Sequence, residues 1–204
     1  MANAYAAGIT AKMSVAALSI LNFAAAAWKM WTAAESTGAT PSGDFLTMTK
    51  WLGVSLVVII LDQLSKYVAN AQLVYAEPLP VLPSFNLTLL YNRGAAFSFL
   101  SDAGGWQRWF FVVVSVIAAV LLTFWLRKLK SEQLALALAL SLVIGGAVGN
   151  LVDRLWLGHV IDFIQLYYKS FYWPAFNIAD SAITVGAVLL VWDGLFANRT
   201  HPDT

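Results

Sequence analysis

Apolar residues run along this chain in four blocks: KWLGVSLVVIILDQLSKYVA (50–69), WQRWFFVVVSVIAAVLLTFWL (106–126), LALALALSLVIGGAVGNLV (134–152) and residues 178–197. Each has the length of about 20 residues that an α-helix needs to cross about 30 Å of hydrocarbon, so the pattern predicts four membrane-spanning helices. The connection over 70–105 is rich in Pro, Asn and Gly, and its segment FNLTLLYNRGAAFSFL partly alternates between turn residues, which predicts short strands outside the bilayer. The connection over 153–177 is polar and aromatic, and RKLKSEQ (127–133) is a short loop.

Residues 1–45 form a segment apart, with an apolar helix expected over 14–31 and the linker-like ESTGATPSGD behind it. An interfacial or packing helix, a fifth span and a cleaved signal are all compatible with so short and Ala-rich a patch. Residues 46–204 make up the expected membrane domain.

Composition agrees with this division. The 204 residues are 60% hydrophobic and 11% charged, against about 25% charged in ordinary globular domains, and the mean hydropathy is +0.71. A net charge of +1 without a long basic run removes the footprint of a nucleic-acid binder. The absence of cysteine removes disulfides, thiolate nucleophiles and Cys-based zinc sites. Three of the seven residues in the 127–133 loop are Lys or Arg, which assigns that loop to the cytoplasm and the two long connections to the outside. The count over the whole chain is less decisive, since Lys66, Arg93, Arg108, Arg154 and Lys169 would lie outside or near that surface against Lys50, Arg127, Lys128, Lys130 and Arg199 inside.

The polar residues in and beside the spans carry the functional question, because an ionised Asp at a helix centre costs about 2.5–3.5 kcal/mol on insertion scales. Asp62 lies four residues before Lys66, where a local ion pair is natural. Asn150, Asp153 and Arg154 share one helix face and are compatible with a self-satisfied cluster, Arg154 neutralising Asp153. Asp193 lies near the inner end of its helix, within reach of water. Asn177 is a good N-cap and Asp180 would sit in the first turn behind it. Capping leaves a second carboxylate unexplained, Asp162 in GHVIDFI, which the outer loop brings to the same surface as Asp180. Gly145 and Gly149 form a small-xxx-small pair around Gly146, and Gly94 with Ala95 and Ala96 also suggests close backbone approach.

With only His159 and His201, no HExxH and no cysteine, a metal site is not expected, and a Ser–Lys pair would have to draw on Lys66 or Lys169. Two carboxyls that share one proton need no cofactor: the ionised one takes a proton from water while the neutral one polarises a carbonyl.

DQLSK (62–66), NRGAAFSFL (92–100), GGAVGNLVDR (145–154), GHVIDF (158–163) and FNIADSAITVG (176–186) together resemble the ordered motifs of bacterial lipoprotein signal peptidase, signal peptidase II, from about Lys50 to Ala197. The resemblance implies an inner-membrane aspartyl endopeptidase with four spans, a small extracytoplasmic β-cradle and a short extracytoplasmic helix. It implies cleavage of prolipoproteins N-terminal to a diacylglyceryl-Cys, contact with membrane lipid, and inhibition by globomycin-type peptides. The catalytic pair it implies is Asp162 and Asp180. Asp62, Asn92, Gly94, Asn150, Asp153, Arg154, Asn177 and Ala179 fall on positions that shape the site or hold substrate. The family pattern leaves residues 1–45 without a role. Two other classes remain compatible with the residues alone: a small proton- or ion-coupled transporter, and a membrane scaffold whose carboxylates are caps and ion pairs.

Overall fold

The structure is a computed structural model that describes residues 45–94 and 105–196, with side chains of the first helix described from Lys50 onward. The segment 1–44, including the helix expected over 14–31, lies outside the described residues. By packing the chain divides into Gly43–Asp193 and a second unit of Met1–Ser42 with Gly194–Thr204. The first unit holds the sheet and the polar network described below.

Four helices, α1 (Phe45–Gln72), α2 (Trp106–Arg127), α3 (Leu134–Trp156) and α4 (Ile178–Phe196), carry the four apolar blocks. All four are long and apolar enough to span a bilayer. The third runs one turn past its expected end at 152, so Asp153 and Arg154 are helical; their charges mark buried bonding rather than an exit into water.

The bundle is built inside out. Along α1 the buried stripe is Ser55, Val58, Asp62, Lys66 and Ala69, spaced three or four residues apart, while Leu56, Val57, Ile60, Leu61, Leu64 and Val68 face outward. Lipid tails are as apolar as leucine, so helices gain little by hiding leucines and associate instead through small residues and polar bonds. In α3, 67% of the span is buried, against 22–28% in the other three, which makes it the central post.

Glycine allows that centrality. A Cβ on Gly145 would stand 2.8 Å from Val58 Cβ and 2.9 Å from the Ser55 carbonyl of α1. On Gly149 it would lie 2.7 Å from the Asp62 carboxylate, and on Gly146 it would run into the Ala179 carbonyl of α4. The α4 helix returns the arrangement at Gly186, whose Cβ would lie 2.7 Å from the Ala139 carbonyl of α3. Ser55 Oγ adds an interhelical bond to the Ser141 carbonyl at 2.8 Å.

At one end of this bundle lies a four-stranded antiparallel sheet in the order β1 (Leu79–Leu82), β2 (Phe85–Asn92), β3 (Val160–Tyr168), β4 (Phe171–Tyr172). The first connection supplies β2, as the alternation predicts, and also β1, which lies before the alternating segment. The second supplies β3 and β4, where the sequence pattern shows only a polar and aromatic connection. The first four residues of β3 are all buried, so it lacks the alternation of a strand with one wet face. Between Leu87↔Ile164 and Leu90↔Asp162 the ladder slips by one residue, and Thr88 and Leu89 are buried in succession at this bulge. Among the described residues the connections hold strands and turns without a further helix, and residues 95–104 lie outside them.

Packing of this kind has a direct test. Gly146→Ala forces a methyl against the α4 backbone and is expected to destabilise the protein by about 1–3 kcal/mol. Gly53, with nothing within 4 Å of its would-be Cβ, is the control: Gly53→Ala should instead stabilise the helix by about 0.5–1 kcal/mol. Thermal unfolding of the two variants in detergent micelles checks the opposite signs.

Candidate active site

Where α1, α3 and α4 meet the sheet, polar side chains form one connected network. Its base is Lys66, 1% exposed, whose ammonium lies 2.7 Å from Asp62 Oδ2 and 2.9 Å from Asp153 Oδ2 and donates to Asn150 Oδ1 at 2.9 Å. Three acceptors take the three donors of an ammonium. The other lone pairs are also used. Asp62 Oδ1 accepts the backbone N–H of Ala179 at 2.9 Å, Asp153 Oδ2 accepts that of Ile161 at 3.1 Å, and Gln63 Nε2 donates to Asp153 Oδ1 and to the Gly149 carbonyl. A buried charge cluster survives only when bonded to this degree.

Asp62 is therefore both the local partner of Lys66 and a remote cap on α4. Asn177 supplies the other cap, its Oδ1 accepting the Asp180 N–H at 2.8 Å. Ala179, wholly buried between them, is small because α3 approaches it at Gly146 and Gly149.

Two amides link Asp162 to Asp180. Asn177 Nδ2 donates to Asp162 Oδ1 at 2.7 Å and to Asn150 Oδ1 at 3.2 Å; Asn150 Nδ2 donates to Asp180 Oδ1 at 2.7 Å. Because Lys66 and Asn177 are both donors to Asn150 Oδ1, the amide nitrogen of Asn150 has to point at Asp180. From the sheet, Asn92 Nδ2 reaches Asp162 Oδ2 at 3.0 Å, diagonally across the β2–β3 ladder, where Asn92 pairs with Val160. Asn92 Oδ1 takes the Gly94 N–H two residues on, an Asx-turn that ends the strand.

Asp162 is 2% exposed, whereas Asp180 is half-buried. Burial, and after it the negative charge of Asp180, pushes the Asp162 carboxyl up to about 7, although the amides of Asn92 and Asn177 favour its ionised form. The site therefore holds a carboxyl that keeps its proton near neutral pH beside a second, more accessible one.

Arg154 does not neutralise Asp153. Its guanidinium donates to the Gly94 carbonyl at 3.0 Å and the Asn150 carbonyl at 3.3 Å and lies 5.1 Å from the Phe111 ring, while Lys66 takes Asp153. A Ser–Lys arrangement through Lys66 is ruled out by the same bonds, since its ammonium is shared by two carboxylates. Asp193 stands apart from the network, half-buried near the far end of α4.

A family model described as signal peptidase (SPase) II matches residues 54–196. The chain belongs to the signal peptidase II family. It is 53% identical over 152 residues to the lipoprotein signal peptidase of Acinetobacter baumannii, covering 74% of this chain and 86% of that protein. To the lipoprotein signal peptidase of Teredinibacter turnerae it is 56% identical over 156 residues, 76% of this chain and 93% of the relative. A solved structure described as a bacterial membrane enzyme superposes with a TM-score of 0.68 at 30% identity, over 76% of this chain and 94% of its own. Membership in a peptidase family, with four span-capable helices, makes this a multi-pass membrane peptidase. The signal peptidase II match takes in every residue of the network and begins after the N-terminal segment.

One member of the network, and the full reach of another, escaped the sequence reading. Gln63 carries no charge and lies beside Asp62 without any spacing signal. Lys66 is legible as the partner of Asp62, but nothing in the chain order announces that it is shared with Asp153. Their weight is testable: Lys66→Met leaves two buried carboxylates facing each other and is expected to cost about 3–5 kcal/mol of stability. Adding Asp153→Asn should recover part of that loss, as read from unfolding midpoints of the single and double variants.

Proposed function

We propose that this protein is an aspartyl endopeptidase of the bacterial inner membrane that removes the signal peptide from diacylglyceryl-modified prolipoproteins, cutting on the N-terminal side of the lipidated Cys. The observation that carries the reading is the linkage of Asp162 and Asp180 through Asn177 and Asn150, with the Asp162 proton retained up to about 7. The substrate class follows from the relatives, which are named lipoprotein signal peptidases. Asp162 and Asp180 are the catalytic residues of this proposal.

In the proposed reaction Asp162 donates its hydrogen bond to the scissile carbonyl, and Asp180, more accessible to solvent, takes a proton from the attacking water. Oxygen adds to the carbonyl carbon; the proton held by Asp180 then passes to the leaving amine as the C–N bond breaks. No cofactor takes part. Asn92, Asn150 and Asn177 position the carboxyls, Asp62, Lys66, Asp153 and Ala179 hold α4 against α3, and Arg154 with Gly94 shapes the wall toward the substrate backbone. The site lies at the sheet end of the bundle, which we place outside the cytoplasm. Water enters there from one side and a lipid-anchored substrate from the bilayer. A globomycin-type peptide would occupy the same cleft.

Asp162→Asn and Asp180→Asn are each expected to lower cleavage of a diacylglyceryl-modified prolipoprotein by about 10²–10⁴-fold or more, with the unfolding midpoint showing that the variants remain folded. Full cleavage by either variant would end the assignment, and solute flux across proteoliposomes without cleavage would favour a transporter.

Proton sharing also sets the pH profile. Losing the Asp162 proton removes the donor, so kcat/KM should fall as pH rises through about 7. In Asp180→Asn the repelling charge is gone while burial remains, so Asp162 should ionise at a lower pH than in the native protein. Infrared titration of its carboxyl C=O stretch measures that shift, and an unchanged titration would contradict the coupling.

A further inference from the structure

Arg93 and Arg108 stand at the bundle end opposite the Lys- and Arg-rich 127–133 loop, and the catalytic network uses neither of them. Both line a cavity of about 320 Å³. It is lined by Arg93 from the turn after β2, Gln107, Arg108 and Trp109 from the first turn of α2, and Gly158 and His159 from the link between α3 and β3.

Three cationic or proton-accepting side chains line the cavity, with no carboxylate among the described lining residues. Among the described residues the ion pairs are those of Lys66 with Asp62 and Asp153, so both arginines are unpaired. Arg93 is exposed. Arg108 is fixed: Nε donates to the Arg154 carbonyl at 2.7 Å and Nη2 to the Leu155 carbonyl at 2.9 Å. Its Nη1 lies against Gly158, whose φ of +82° turns the chain out of α3 and whose missing side chain keeps this wall open. The His159 ring contacts that of Tyr91 at a tilt of 45°, with centroids 4.5 Å apart. Burial, and then the positive charge of Arg93, lowers its pKa, while the charge of Asp153 acts in the opposite sense.

Depth identifies the occupant. The cavity sits where α2 begins and α3 ends, at the boundary of two membrane spans. Around it Trp106, Trp109 and Trp156 are among the exposed large side chains, as in the aromatic belt at headgroup level, and below it Val113, Ile117 and Leu121 of α2 present an apolar face to lipid tails. We propose that Arg93, Arg108 and His159 form a binding site for the phosphate of an anionic phospholipid, whose acyl chains lie along α2. Guanidinium groups suit phosphate because their planar donors bond two of its oxygens at once. Basic pockets between spans are a general means of holding such headgroups. The site is separate from the Asp162–Asp180 network and does not depend on the reaction assigned to it.

The test uses the purified full chain in a maltoside detergent, titrated with dioctanoyl phosphatidylglycerol, dioctanoyl phosphatidylcholine or inorganic phosphate and read by native mass spectrometry. Phosphatidylglycerol should be retained in preference to phosphatidylcholine, and Arg93→Gln with Arg108→Gln should weaken its retention by roughly tenfold or more. Arg93→Gln alone, which removes no bond among the described residues, should weaken it while leaving the unfolding midpoint unchanged. By NMR the His159 titration should move to higher pH when phosphatidylglycerol binds. Equal retention of the two lipids, no effect of Arg93→Gln, or inorganic phosphate binding as tightly as the lipid would each overturn the proposal.

Discussion

The ammonium of Lys66, buried between Asp62 and Asp153 with Asn150 as its third acceptor, is the interaction from which the rest of the architecture follows. Hydrocarbon supplies no water to solvate a charge and little gain for bringing leucines together, so the helices are held by whatever cannot be satisfied elsewhere. Lys66 ties α1 to α3 directly. Through Asp62, which accepts the Ala179 N–H, it also ties α1 to the first turn of α4. Through Asp153, which accepts the Ile161 N–H, it fixes the start of β3. The sheet and the fourth helix, bearing Asp162 and Asp180, are thereby referenced to a single cation.

The same arrangement orients the chemistry. Asn150 has one acceptor and one donor end, and the Lys66 ammonium decides which end faces which way. Asn177 caps α4 with its oxygen and holds Asp162 with its nitrogen, so helix initiation and carboxyl placement are one event. Close packing is the condition for these short bonds: with any side chain at Gly146 or Gly149, α3 would stand too far from α4 and Asp62 for the amides to reach. Glycine at these positions is a requirement of distance rather than of backbone conformation.

The site lies where the bundle ends and the sheet begins. The spans expose Leu, Val, Ile and Phe around their circumference, while the sheet and the turn at Gly94 cover the polar network from the water side. An enclosed carboxyl such as Asp162 keeps its proton near neutral pH because that cover excludes water, and a second carboxyl beside it adds repulsion. The cationic cavity lined by Arg93, Arg108 and His159 lies at the same end of the bundle, where α2 begins and α3 ends.

Much of this was legible in the chain order. Four blocks of about 20 apolar residues predict four spans because hydrocarbon thickness sets helix length, and Asn177 before Asp180 predicts the start of α4 because an N-terminal turn has unsatisfied N–H groups. The carboxylates themselves stood out, since a charge in an apolar run needs a reason, and the motifs from Asp62 to Gly186 pointed to the family that the comparisons then established. Tertiary structure decided the partners. Sequence spacing offered Arg154 to Asp153 on one helix face, yet Lys66 from another helix took it and Arg154 turned to the Gly94 carbonyl. Nor did the pattern reveal β3, whose inner half is buried on both faces and so lacks the period of two. A sequence records which groups must be satisfied; which of several competent donors satisfies each one depends on distances between helices, and these exist only once α1, α3 and α4 have packed.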